Sequence, residues 1–222
     1  PLPSLLHRLP PTDYLASRLF DYQVDESLDR DKLNEQLVRA SYHRVDTVYE
    51  HGEYAFRGSI IDIFPMGEDA PFRIDLLDND IESLRIFDPE TQRTISNVER
   101  LRLLPAREFP LDKEGINRFL NNWHDYFDSK ATDCPIYKDV KQAIAPQGIE
   151  YYLRLFFDNT ATLFDYLPTE THIFTQNGLY EAANTLWQDI NRRYEEYGVD
   201  PQRPLLPPKE IFIAVEELFG LL

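Results

Sequence analysis

Cysteine is almost missing from the 222 residues: Cys134 stands alone. An internal disulfide is therefore impossible, and no second thiol is present to share a metal or a redox cycle. The expectation is an unremarkable surface or half-buried thiol. Glycine occurs 8 times and is never followed by lysine, which leaves no Gly-Lys-Ser/Thr turn to cradle a nucleotide phosphate. The five histidines, His7, His43, His51, His124 and His172, show neither H-x-x-x-H nor H-E-x-x-H spacing, and no serine sits in a G-x-S-x-G elbow. Zinc and nucleophile chemistry thus lack their residues. No apolar run approaches the roughly 20 residues of a membrane helix, and the chain opens without a signal-peptide pattern, so no membrane association and a cytoplasmic location are expected. Positive charge is scarce too: 23 Lys and Arg against 39 Asp and Glu give a net charge of −16. The basic residues are scattered, and even Arg192-Arg193 stands beside Glu195 and Glu196, so a phosphate backbone meets repulsion rather than a patch. The first residue is Pro1 rather than Met, and a piece of something longer is expected.

What is present is the material of a folded protein, 42% hydrophobic, 28% charged and 13% aromatic, long enough for two small domains. Residues 1–23 carry four prolines and predict an extended connector from an upstream element. Leu33, Leu37 and Ala40 fall at helical spacing behind Asp29-Arg30-Asp31, a short amphipathic helix. From Asp46 the runs DTVYEHGEY, FRGSIIDIF, PFRIDLLD, IESLRIF and VERLRLL alternate with turn residues and predict an antiparallel meander. A small α+β unit is placed at 24–104. After Pro105 the patterns become helical: from Asp112 to about Phe127, over 137–145, over 177–197, and a last helix through Glu216 to Phe219. The runs TLFDYLP and HIFTQ are expected to be strands of a parallel α/β layer, making 105–222 an α/β domain.

The stretch 57–93 is the most informative. In PFRIDLLD, Phe72, Ile74 and Leu76 share one face of a strand, and Arg73, Asp75 and Leu77 share the other. Leu77 is therefore expected in solvent beside Arg73, a charged and apolar pairing typical of binding anchors. If FRGSIIDIF pairs with this strand so that Ile61 lies near Arg73, Arg57 comes opposite Leu77. The competing explanation is that the arginines only solvate the sheet or pair with Asp75. The acidic residues Asp75, Asp78, Asp80 and Glu82 could hold a divalent cation, but Asp78-Asn79-Asp80 is better explained as a hairpin turn. Tyr151, Tyr152, Phe156 and Phe157 could stack bases, yet with little positive charge nearby core packing is the better account.

The runs EHGEYAFRGSIIDIFPMG, PFRIDLLDNDIESLRIFDPETQRT, LLPAREFP, QGIEYYLRLFF and YGVDPQRPLLPP resemble the UvrB-homology region of the bacterial transcription-repair coupling factors (Mfd). A looser likeness extends to the domain of UvrB that carries the same RG-x-x-(I/V)-(D/E)-IFP signature. The resemblance implies a small antiparallel-sheet domain like UvrB domain 2, set beside an α/β domain like UvrB domain 1b. It implies an adaptor that recruits UvrA and links removal of stalled RNA polymerase to nucleotide excision repair. The family's contact residues carry over to Arg57, Arg73 and Leu77; where the family often has phenylalanine, Leu77 keeps the apolar character with less area. No catalysis and no cofactor are implied for this stretch: ATP and Mg belong to motor domains outside it, as do the contacts to RNA polymerase and DNA. A C-terminal domain of the parent is expected to mask the UvrA face. The rival reading is a degenerate helicase-type domain that contacts DNA directly.

Overall fold

The β-branched middle of the chain folds as strands, and helices flank it on both sides. The computed structural model describes residues 2–127, 132–200 and 202–222. In chain order, α1 (Leu2–Leu6) and α2 (Thr12–Ala16) precede β1 (Phe20–Gln23) and α3 (Arg30–Arg39). Then come β2 (His43–Arg44), β3 (Glu53–Arg57), β4 (Ile60–Ile63), β5 (Phe72–Leu77), β6 (Asp80–Phe87), β7 (Thr94–Val98) and β8 (Arg100–Leu103). After them come α4 (Lys113–Tyr126), α5 (Pro135–Lys141), α6 (Leu179–Tyr197), α7 (Pro208–Ile211) and α8 (Val215–Leu221), with 3₁₀ segments at Ile149–Phe156 and Leu163–Tyr166. Two units result, residues 13–110 and residues 2–12 with 111–222.

In unit 13–110 a six-stranded mixed sheet has the order β2-β3-β4-β5-β6-β7. The run from β3 to β7 is the expected antiparallel meander, while β2 lies parallel to β3. A separate antiparallel pair joins β1 to β8, with Phe20 opposite Leu103. Helix α3 starts where Asp29 accepts hydrogen bonds from the Asp31 and Lys32 amides at 3.0 and 3.1 Å, satisfying donors the helix leaves open. Its buried Leu33 and Leu37 pack with Ile61, Ile63, Ile74, Leu84, Leu101 and Leu103 in one core. A second, smaller cluster gathers Val48, Ala55, Phe64 and Phe87.

Three expectations are corrected. Residues 1–23 are not an extended connector: of those described, Leu6 and Tyr14 are buried in short helices and 20–23 pair with β8. Pro3 sits in the first turn of α1, where a missing amide costs nothing, and Pro10-Pro11 separates the two helices. The run DTVYEHGEY is not one strand, since only its last two residues, Glu53 and Tyr54, join the sheet, and Gly52 ahead of them takes φ 81°. No strand forms among the described residues of 111–222, so the parallel α/β layer is absent there. At 162–165 the local chemistry wins over the apolar run: the Asp165 carboxylate accepts from the Thr162 amide at 2.7 Å and its hydroxyl at 2.8 Å, starting a 3₁₀ turn. Short apolar runs do not distinguish strand from helix by period alone.

Helices α4 and α6 take nearly the expected spans, whereas the helix expected over 137–145 is α5 at Pro135–Lys141, with Ala143 beyond it at φ 60°. Asp112 caps α4 and Phe127 ends it, while α6 spans nineteen residues with Ala183 buried against Ile213, Val215 and Leu218. Trp123 stacks on Tyr152 at 5.6 Å, Phe119 meets Phe156 at 4.8 Å, and the Tyr152 hydroxyl donates to the Pro204 carbonyl at 2.7 Å. Tyr152, Phe156 and Phe157 are thus core, and only Tyr151 of the four aromatics is exposed. Cys134 is fully buried at the start of α5, deeper than the surface or half-buried position expected.

Candidate functional site

Strand alternation holds in β5: Phe72, Ile74 and Leu76 are buried, Arg73 and Asp75 are half-buried and Leu77 is exposed. The register does not follow the expectation. FRGSIIDIF is two strands, because Gly58 takes φ 60° at the first position of a two-residue loop that closes Arg57 onto Ile60, a conformation glycine adopts freely. Asp62, not Ile61, then lies opposite Arg73. Arg57 is consequently two strands from β5, in the row Arg57–Ile60–Asp75, and Leu77 is two residues farther along. The Arg57 and Leu77 backbones are therefore about 12 Å apart rather than opposite each other.

What brings the arginines together is Asp62, a residue the sequence reading passed over. Its side chain is 0% exposed. Oδ1 accepts from Arg73 Nε at 2.6 Å and Oδ2 from Arg73 Nη2 at 3.0 Å, a two-pronged pair, while Oδ2 also accepts from Arg57 Nη2. Arg73 is further held by Gln92, whose carbonyl and Oε1 each accept at 3.3 Å, and its guanidinium lies 4.4 Å from the Phe87 ring centre. Gln92 in turn donates to the Val48 and Pro89 carbonyls. Its loop is tied by Asp88, which accepts from the Thr91 amide at 2.7 Å and hydroxyl at 2.8 Å; those bonds hold the Asp88 carboxyl below its ordinary value of 3.8.

One strand farther, Arg85 stands directly opposite Arg73. Like charges facing across a ladder repel, and here each has its own carboxylate: Arg85 pairs with Asp75, which also accepts from the Ser83 hydroxyl at 3.0 Å. Asp75 is committed in this way, and Asp78 forms the β5–β6 turn at φ 58°. Among the described residues no group of three or more His, Cys, Asp or Glu is arranged to hold a metal, and no helix is long and apolar enough to cross a membrane.

The cluster joins three guanidiniums to two carboxylates, and a third carboxylate, Asp80, stands on the same face opposite Leu77. Exposure is graded across it: Arg73 shows 12% of its side chain and Arg57 41%, and Leu77 is 64% exposed. Apart from Leu77, the apolar Ile95 on the edge strand β7 is also exposed. A hint of Asp62 was available in the sequence, since a lone carboxylate within SIIDIF needs a buried partner; it was hidden by reading the hairpin as a single strand.

Residues 20–109 match the family model of the UvrB interaction domain, a span nearly coincident with unit 13–110 and containing every residue of this face. The transcription-repair-coupling factor of Escherichia coli (strain K12) is 43% identical over 221 residues, 99% of this chain and 19% of the relative. That of Haemophilus influenzae is 41% identical over 219 residues, 98% of the chain and 19% of the relative. The Bacillus subtilis (strain 168) protein of the same name is 29% identical over 185 residues, covering 77% and 16%. The chain spans about a fifth of the length of the first two relatives. With a UvrB interaction domain at 20–109 and similarity carried through the helical remainder, the chain belongs to the transcription-repair-coupling factor family.

Proposed function

We propose that this chain is the UvrA-recruiting adaptor part of a transcription-repair-coupling factor, with Arg57, Arg73 and Leu77 on the docking face. The observation that carries the reading is Leu77, an apolar side chain 64% exposed on the same sheet face as two convergent guanidiniums, within the UvrB interaction domain. Arginine is enriched at interface hot spots, and guanidinium forks fit partner carboxylates. UvrA is accordingly expected to present acidic side chains here.

The chain itself does no catalysis in this reading and needs no cofactor. ATP-driven translocation with Mg, the grip on DNA and the contact with RNA polymerase belong to the rest of a full-length cytoplasmic protein, whose C-terminal domain covers this face until it is needed. Calorimetric titration with UvrA tests the docking face. Arg57→Ala and Leu77→Ala are each expected to weaken binding ten-fold or more, and wild-type affinity in both would overturn the assignment. Tight binding to DNA that falls steeply with salt would instead favour a helicase-type domain in direct contact with nucleic acid.

A further inference from the structure

We infer that Asp62 is a positioning residue for UvrA docking and that it acts through Arg57. The inference rests on the docking reading above and goes beyond it by assigning different tasks to the two arginines. Arg73 has its Nε and Nη2 on Asp62 and its Nη1 and Nη2 on Gln92, with its plane over Phe87. Every nitrogen of that guanidinium is engaged within the chain, and 12% of the side chain remains exposed. Arg57 gives only Nη2 to Asp62 and is 41% exposed, so its Nε and Nη1 are open to a partner's carboxylate. Arg73 therefore secures Asp62, and Asp62 fixes the orientation in which Arg57 offers its free donors.

A long arginine side chain loses rotamer freedom when it is fixed at an interface, and a side chain already held loses less. The tether thus favours binding even though Asp62 removes one positive charge from the face. This gives the test a sign. If net charge alone governed attraction of an acidic partner, Asp62→Asn would tighten UvrA binding and steepen its salt dependence. Positioning requires the opposite: at least ten-fold weaker binding of the full chain by calorimetry despite the added charge.

The cycle with Arg57→Ala separates positioning from general stability. In the Arg57→Ala background, Asp62→Asn is expected to change UvrA affinity less than about two-fold, because the group it orients is gone. Asp62→Glu keeps the charge and shifts the carboxylate by one methylene; it serves where Asp62→Asn does not fold, and the same loss confined to the Arg57-containing chain is expected. Equal or tighter binding by a folded Asp62 variant, or the same loss with and without Arg57, overturns the inference and leaves the docking face intact. Failure of the wild-type chain to bind UvrA overturns the docking reading itself and this inference with it.

Discussion

A carboxylate with no exposed surface that accepts from two guanidiniums behaves unlike a surface ion pair. Removing one partner from a buried pair costs about 3 kcal/mol or more, because the remaining charge stays desolvated, whereas an exposed partner contributes about 0–1 kcal/mol. Arg73→Ala is therefore expected to destabilise by about 3 kcal/mol and Arg57→Ala by less than about 1 kcal/mol, measured by urea unfolding. Equal losses would show that the two arginines share Asp62 evenly. Leu77→Ala, with little buried area to lose, is expected to stay within about 0.5 kcal/mol of wild type, so a loss of UvrA binding in that variant reports on contact rather than folding. The alternation of PFRIDLLD sufficed to place Leu77 outward and Phe72, Ile74 and Leu76 inward. Asp62 escaped because a carboxylate's burial depends on the register of a neighbouring strand, which no single-strand pattern contains.

Two elements decide whether this face exists, the β3–β4 hairpin and the 88–93 loop. Gly58 has φ 60° and open space where a Cβ would stand, so Gly58→Ala meets conformational strain without a clash. A cost of about 1 kcal/mol is expected, with Gly58→Val costing more, because the left-handed region disfavours β-branched residues; thermal unfolding checks the order. In the 88–93 loop, the Asp88 carboxyl is held below 3.8 by the Thr91 amide and hydroxyl. A depressed carboxylate stabilises the fold above its unfolded value, and the contribution is lost as pH falls through the folded value. The loop, and with it the Gln92 brace on Arg73, is thus expected to loosen only below pH 3.8, seen as faster hydrogen exchange at the Thr91 amide relative to the β5 amides. An unchanged exchange ratio across that range would dissociate Asp88 from the brace. Of these elements, the Asp78-Asn79 turn was legible from its residues, as were α3 and α4 from their period and acidic starts and α6 from its period alone. The Gly58-Ser59 turn was missed because one glycine inside an apolar run is equally compatible with an uninterrupted strand or a bulge.

At the scale of the whole chain, the boundary of the β-rich unit is drawn by pairing rather than by composition. The sequence places it at 24–104, where the strand residues cluster; the fold extends it to 13–110, because β1 must reach β8 and its Phe20 and Tyr22 pack on the common core. Long-range pairing of four-residue strands leaves little trace in local pattern, and so does the absence of strands among the described residues after 111. Because the core of Leu33, Ile61, Ile74 and Leu101 lies wholly inside it, residues 13–110 expressed alone are expected to melt in one cooperative transition and to bind UvrA like the complete chain. Circular dichroism and calorimetry check both. The β1–β8 pair has one more consequence, a mechanical one. Phe20 and Leu103, where the chain enters and leaves the ladder, face each other on the same rung. Tension between the preceding and following residues would load that rung alone and peel the ladder toward Gln23 and Arg100 one bond at a time, so the seam yields to a pull far more readily than a sheared pair of equal length.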